Sequence, residues 1–404
     1  MYSQIMTKAL VVGGGIAGPV AAVALRRAGI DAVVHEAYER DATGVGAILT
    51  LAVNGVDALR AVDLADAVTG LGHPTPRMAL INHRGRRLGE FGTSGTHTRG
   101  LGSITLRRAD LYRVLRHEAE RRGVPFVHGA RLVAAEPTGT GVRARFADGR
   151  TAEADLLIGA DGLRSVTRSI IDPQAPGPRY VPLLNVGGVA RGLRLPGERG
   201  LMHMIFGKRC FFCWIEVGDD EIWWFANPPQ PTELSPAELA AIGSDQWRRR
   251  LDELVADDAG PAREIIRNTV ELDPAWATYD LPPVRRWHRD RMVIIGDAAH
   301  TATPSSGQGA SQAIEDAVEL ARCLRDLPDV PAAFRAYERL RRHRVERVVT
   351  QGRRTSSTKV AGPLGRLLRD LALPLVARQV ARDDGARLSW LYDHHVEWDA
   401  PVTG

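Results

Sequence analysis

Gly13-Gly14-Gly15-Ile16-Ala17-Gly18, directly after the apolar run Ala9-Leu10-Val11-Val12, constrains this 404-residue chain more than any other stretch. A short continuous apolar run suits a strand buried on both faces of a parallel sheet. The spacing Gly13-x-Gly15-x-x-Gly18 then does three things. Gly13 takes a tight turn, Gly15 lets a pyrophosphate reach bare backbone, and Gly18 lets the following helix lie close to the strand. A helix is predicted from Pro19 to Ala28, stopped by Gly29. Its N-terminus offers free N–H groups and a positive dipole end to a diphosphate. Asp31-Ala32-Val33-Val34-His35 predicts the second strand, and Glu36 ends it with a carboxylate placed to accept hydrogen bonds from a ribose. Together these features predict a dinucleotide-binding βαβ unit.

Composition removes several other classes. No apolar run is long enough to span a bilayer, so no stable membrane insertion is expected. The first strand starts within ten residues of Met1, so a cleavable leader would cut into the nucleotide fold and a cytoplasmic location is expected. The net charge of +5 invites a nucleic-acid reading. It is set aside, because only Lys8, Lys208 and Lys359 are lysines and the arginines are interspersed with acids. Arg248-Arg249-Arg250 and the stretch 339–347 are expected to form solvated helix faces, the second with Glu338 and Glu346 at salt-bridging spacing. Cys210-Phe211-Phe212-Cys213 has the spacing of a zinc or redox pair, but no second ligand pair exists. Strand residues three apart point to opposite faces, so two small buried hydrophobes are expected and no metal site.

Further along, a helix-like segment covers 54–62, hairpins are expected between Gly72 and Gly102, and an amphipathic helix covers 111–121. Strands at 131–145 and 151–158 end at Gly159-Ala160-Asp161-Gly162, with Arg164, Ser165 and Arg168 at a helix start. From Pro173 to Arg291 the pattern is mostly β, with strands at 202–206, 211–217 and 222–225 and a helical insert near 237–255. Phe211, Phe212, Trp214, Trp223, Trp224 and Phe225 read as sheet core, with a substrate cage as the alternative. Met292-Val293-Ile294-Ile295 is another buried strand, leading into Gly296-Asp297-Ala298-Ala299-His300, then Pro304 to Ala310 and a strong helix at 311–324. Helices follow Pro331.

Three separated motifs stand in order: Gly13–Gly18 with Glu36; Asp161-Gly162-x-x-Ser165-x-x-Arg168; and Gly296-Asp297 with Pro304, Gly307 and Gly309. The whole chain resembles the single-component FAD-dependent monooxygenases of the aromatic-hydroxylase type, in the branch of salicylate and urate hydroxylases and zeaxanthin epoxidase. The resemblance implies an α/β fold, with a Rossmann-like FAD-binding domain, an inserted mainly β substrate domain and C-terminal helices. The implied division is 1–72, 100–174 and 286–330 for FAD, 73–99 and 175–285 for substrate, and 331–404 for the helical segment.

By resemblance, Gly13, Gly15, Ile16, Ala17 and Gly18 hold the pyrophosphate, and Glu36 with Ala37 the adenosine ribose. Leu132 offers a backbone contact to adenine, Asp297 accepts from ribityl hydroxyls, and Thr50 joins the cofactor set. Arg108 pairs with cofactor phosphates or the ribityl chain, with adjacent Arg107 as the alternative. Gly307, Gly309 and Ala310 aim a helix N-terminus at the flavin, where the dipole favours the reduced anion. Asp161 and Arg168 belong to the motif linked with FAD and NAD(P)H. Ser311 departs from the family, where many members carry Asn. His300 is read as structural, and Arg209 and Pro304 as substrate- or flavin-face candidates.

The implied chemistry consumes NADPH or NADH and O₂. A flavin C4a-hydroperoxide passes its distal oxygen to an electron-rich, aromatic small molecule; alkene epoxidation is the nearest alternative. The flavin carries the hard chemistry, so no nucleophile–base pair is required of the chain. Halogenases are disfavoured because their Trp-x-Trp-x-Ile-Pro motif is absent, and a non-catalytic protein on the same fold is a further alternative. A monomer or homodimer is expected.

Overall fold

The structure, a computed structural model, describes residues 7–39, 48–93, 101–195, 198–218, 220–303, 306–359, 362–382 and 386–403. The strand Lys8–Val12 sits inside a six-stranded sheet, between Leu156–Gly159 and Asp31–His35. Leu10 lies opposite Leu157 on one side and Val33 on the other, both pairings parallel. Met292–Ile294 extends the sheet beyond Leu156–Gly159, also in parallel. Burial on both faces explains why these strands are continuous apolar runs rather than alternating ones.

The first helix runs Ala17–Arg27, two residues earlier than Pro19 implies. Proline is tolerated there because first-turn N–H groups lack intrahelical partners anyway. Gly29, at φ +79, ends it as expected. The helix expected from Leu111 begins at Arg108, with Asp110 in its first turn, where a carboxylate suits the positive end of the dipole.

The second large sheet has eight strands. Arg179–Arg191, Glu221–Asn227, Phe211–Val217 and Leu201–Phe206 form its centre. The hairpin Arg77–Asn82 and Arg87–Gly92 joins it through parallel pairing with Leu201–Phe206. Strand alternation sends neighbouring aromatics to opposite faces. Phe212, Trp214 and Trp224 form a back core with Leu239, Trp247, Leu251 and Ile265 from the helical insert. Phe211 and Trp223 form a front cluster with Met202, and half-buried Phe225, Met204, Ile48 and Leu373 pack on it. The six aromatics therefore divide: half are plain core, and half belong to a face that meets the nucleotide-binding part.

Cys210 joins the back cluster and Cys213 the front one. Burial pushes both thiols up to about 12, so they behave as small apolar groups. The helix Gly309–Asp326 is buried almost along its whole length between the first helix and the long C-terminal helix Val330–Lys359. Among the described residues no helix is long and apolar enough to cross a membrane, and no group of three or more His, Cys, Asp or Glu could hold a metal ion.

Candidate functional site

A cleft of about 410 Å³ opens at the C-terminal ends of the first two parallel strands, lined by Gly13, Gly14, Gly15, Glu36, Ala37, Leu132 and Asp161 among others. Gly13 (φ +107) and Gly18 are glycine for internal reasons. A Cβ on Gly13 would strike the Ala160 carbonyl, and one on Gly18 would strike the carbonyl of Gly13. Gly15 is different: a Cβ there would meet nothing within 4 Å. The bare backbone at Gly15 faces open space, as a cradle for a diphosphate requires. Ile16 caps the first helix and Ala17 opens it, so their N–H groups point out of its positive end.

Glu36 is held rigidly at the cleft rim. Its Oε2 accepts from the Gly14 N–H at 2.6 Å and its Oε1 from the Tyr38 N–H at 2.9 Å. Arg131 lies over the Tyr38 ring at 5.6 Å. These residues fit an adenosine half with its pyrophosphate.

A second group gathers around Gly296-Asp297. Gly296 (φ +59) lies where the first helix and the Gly309–Asp326 helix converge, so its Cβ would stand 3.0 Å from Ala313 and 3.4 Å from Ala17. Asp297 is half-buried. Burial raises its carboxyl above the ordinary range, opposed by the Arg108 guanidinium. Of the two adjacent arginines, Arg108 is the one turned toward Asp297, and its Nε donates to the Tyr112 hydroxyl at 2.8 Å. Arg107 instead grips Glu271 at 3.1 and 3.2 Å. Thr50 lies at the seam with the large sheet, its Oγ1 2.9 Å from Thr105 Oγ1 and 4.0 Å from the Met202 sulfur. Gly307 (φ +60) precedes the helix that Gly309 and Ala310 begin.

Several sequence expectations are corrected or sharpened. The Asp161 carboxylate is spent locally, on the Ser165 hydroxyl (2.5 Å) and on the Thr167 N–H and hydroxyl (2.9 and 3.0 Å), securing the start of the helix Val166–Ile171. Arg168 is buried and donates to the carbonyls of Ala298 and Leu163, tying this helix to the Asp297 segment. Arg209 does not face the front of the large sheet. It is exposed, donating to the Glu253 carbonyl and pairing with Asp257 behind the sheet, because the turn before Phe211 swings it toward the helical insert. Pro304 lies outside the described residues. Ser311 accepts from the Ala52 N–H at 3.2 Å and packs where a Cβ on Gly55 would collide with it, so a larger side chain has no room.

The stretch 339–347 is not a solvated face. Arg342 does pair with Glu338 and Glu346 at the expected spacing. Arg341, however, is 1% exposed and donates to Asp316 at 2.7 Å, to Glu315, and to Gln312 Oε1 at 2.8 Å. Arg344 adds two bonds to Glu315 at 2.8 Å each. Asp316 also accepts from the Gly296 N–H at 2.9 Å and pairs with His300. Burial alone would raise both carboxyls; the guanidinium groups, with His300 for Asp316, outweigh it and hold them below the usual range. This buried network positions the Gly296–His300 segment, and His300 has a structural role within it. Arg248 and Arg250 are also half-buried, donating to the carbonyls of Thr269 and Pro229, and only Arg249 of that triplet is exposed.

Comparison with known proteins follows the same lines. A family profile described as "FAD binding domain" matches residues 6–352. The chain is 33% identical to a FAD-dependent urate hydroxylase of Klebsiella pneumoniae, over 86% of this chain and 89% of that protein. It is 31% identical to a 3-amino-4-hydroxybenzoate 2-monooxygenase of Streptomyces cremeus, covering 95% and 94%. The crystal structure of Klebsiella pneumoniae HpxO complexed with FAD and uric acid superposes with a TM-score of 0.83 at 28% identity, over 95% of this chain and 97% of that one.

Proposed function

The chain belongs to the FAD-binding family of single-component flavoprotein monooxygenases, and from that premise we propose that it uses NAD(P)H and O₂ to hydroxylate an electron-rich aromatic small molecule. Bound FAD supplies the oxygen activation. The observation that carries the cofactor geometry is the pairing of two sites. The backbone at Gly15, where a Cβ would meet nothing within 4 Å, leads into the first helix, and Gly296, next to Asp297, packs against Ala17 at the start of the same helix.

In this reading Gly13, Gly15, Ile16, Ala17 and Gly18 bind the pyrophosphate, Glu36 and Ala37 the ribose, and Leu132 the adenine. Asp297 accepts from the ribityl chain, and Arg108 neutralises charge beside it. The backbone N–H groups from Gly307 to Ala310 stabilise negative charge on the reduced ring. Thr50 and the front of the large sheet form the opposite wall, whose apolar side chains exclude water from the reacting centre. Asp161 and Arg168 hold the Asp297 segment in register. The 73–99 and 175–285 segments then act as the substrate unit and 1–72, 100–174 and 286–330 as the cofactor unit. Urate and 3-amino-4-hydroxybenzoate, named for the two relatives, are electron-rich heteroatom-substituted rings, which supports the substrate class.

The test is NAD(P)H oxidation by the yellow holoenzyme across a panel of hydroxylated and aminated rings, with peroxide measured in parallel. Product formation matching NAD(P)H consumption is expected for at least one ring. Oxidation that yields only peroxide with every ring overturns the hydroxylase reading.

Asp297→Ala tests the proposed ribityl contact. Losing a hydrogen bond to a carboxylate costs about 1.5–3 kcal/mol, so the Kd for FAD should rise roughly 10- to 100-fold by flavin fluorescence titration. Unchanged FAD affinity counts against the assignment.

A further inference from the structure

Of the three lysines only Lys359 is buried, and the function proposed so far leaves it unused. It ends the helix Val330–Lys359 and meets the front face of the large sheet. Its Nζ donates to Asn227 Oδ1 at 2.6 Å and lies 4.1 Å from the Phe211 ring centroid and 5.6 Å from that of Phe225. An ammonium carries three N–H donors, and one is used. The titratable groups facing it are the thiols of Cys213 and Cys210, both pushed up to about 12 and therefore neutral. Asp370, on the helix that follows, is committed to Arg369 and Asn82. Among the described residues, then, no carboxylate pairs with this cation. A buried charge without a counter-ion is costly, and π faces offset only part of that cost.

Its position supplies a reason. Gly352 on the same helix packs against the segment after Asp297; a Cβ there would stand 3.0 Å from Ser306 and 3.2 Å from Thr303 Oγ1. Seven residues on, about 10 Å along the axis at 1.5 Å per residue, Lys359 reaches the sheet. One helix thus runs from the segment after Asp297 to Phe211, Phe225 and Asn227. On that face Phe225 and Met204 are only half-buried beside closed-off Phe211 and Met202, as the floor of a cleft would be.

We propose that Lys359 is the specificity-determining cation of the substrate cleft, pairing with an anionic oxygen (a carboxylate or an ionised ring hydroxyl) at the end of the aromatic substrate remote from the reacting carbon. This rests on the reading that the front face receives the substrate. Phe211 and Phe225 flank the ammonium and hold it in place, and the anion takes the donors that Asn227 leaves over. Burial pulls Lys359 down to about 8, so the anion preference fades as pH rises through that range.

The experiment titrates FAD-loaded wild type, Lys359→Met and Lys359→Arg with 4-hydroxybenzoate and with neutral 4-hydroxybenzamide, following the flavin absorbance difference. Wild type should prefer the anion at least tenfold at pH 7. Lys359→Met should lose that preference and Lys359→Arg should keep part of it. Lys359→Met should bind neutral 4-hydroxybenzamide as wild type does; a purely structural lysine would weaken both probes alike. Wild type binding both probes equally or neither, or Lys359→Met retaining the preference, overturns the proposal. Failure of the wider reading looks different: no flavin retained, or no NAD(P)H oxidation, in the wild type itself.

Discussion

Gly15→Val should yield a folded, colourless protein. The fold has room for the new side chain, since a Cβ at Gly15 meets nothing within 4 Å. That room is the space a pyrophosphate would fill, and valine would hold the phosphates off the backbone N–H groups of the first helix. Several charge-assisted hydrogen bonds would be lost together, each worth about 1.5–3 kcal/mol. FAD affinity should therefore fall by at least about 1000-fold, with the far-ultraviolet circular dichroism unchanged. Gly18→Val is the contrasting control: its Cβ strikes the Gly13 carbonyl, so that variant should lose the fold as well as the flavin. Wild-type FAD affinity in Gly15→Val would remove the pyrophosphate from this loop.

The second large effect is expected at Arg341. Replacing it with Met takes from the buried carboxylates of Glu315 and Asp316 the one counter-charge they share, leaving Arg344 and His394 beside Glu315 and His300 beside Asp316. Removing one side of a buried ion pair costs about 3–5 kcal/mol. The urea midpoint at pH 7 should drop accordingly. Flavin should be released before global unfolding, because Asp316 also anchors the Gly296 N–H beside Asp297. The pH dependence fixes the sign. Both carboxyls are depressed in the fold, so their stabilising contribution is present above the unfolded carboxylate range, near about 4, and is lost as pH falls through the lower folded values. The gap between wild type and Arg341→Met should be widest at neutral pH and narrow toward acid. A gap that widens on acidification would mean these carboxyls are not held ionised by Arg341.

Much of the cofactor cradle was legible in the chain because backbone geometry dictates it. A strand, three glycines at fixed spacing, a helix and an acid admit few arrangements, and Gly13–Gly18 with Glu36 occupy one cleft. Side-chain partnerships across the fold were less legible. Arg341 sits in a run that looks like a charged surface, and its burial depends on two acids from another helix. A signal did exist: Glu315-Asp316 stands between apolar Ile314 and Ala317 on a helix that reads as buried, and buried acids require a partner. Asp161 was legible as part of a motif but not as a group spent on Ser165 and Thr167, since capping and ligand binding draw on the same residue types. Arg209 was placed by resemblance, which does not fix where a side chain points in a turn, and the Gly207-Lys208-Arg209 corner points its last side chain behind the sheet.

The two faces of the eight-stranded sheet carry different burdens. Behind it, Trp214, Trp224, Trp247 and Leu251 lock the sheet to helices and hold its shape. In front, Met78, Met202, Met204 and Leu80 supply flexible, unbranched or easily rearranged chains beside the proposed reaction space. Selection can therefore retune what this enzyme oxidises by exchanging front residues alone, at little risk to the scaffold. Descendants of one such ancestor would diverge first in diet, and only much later in form.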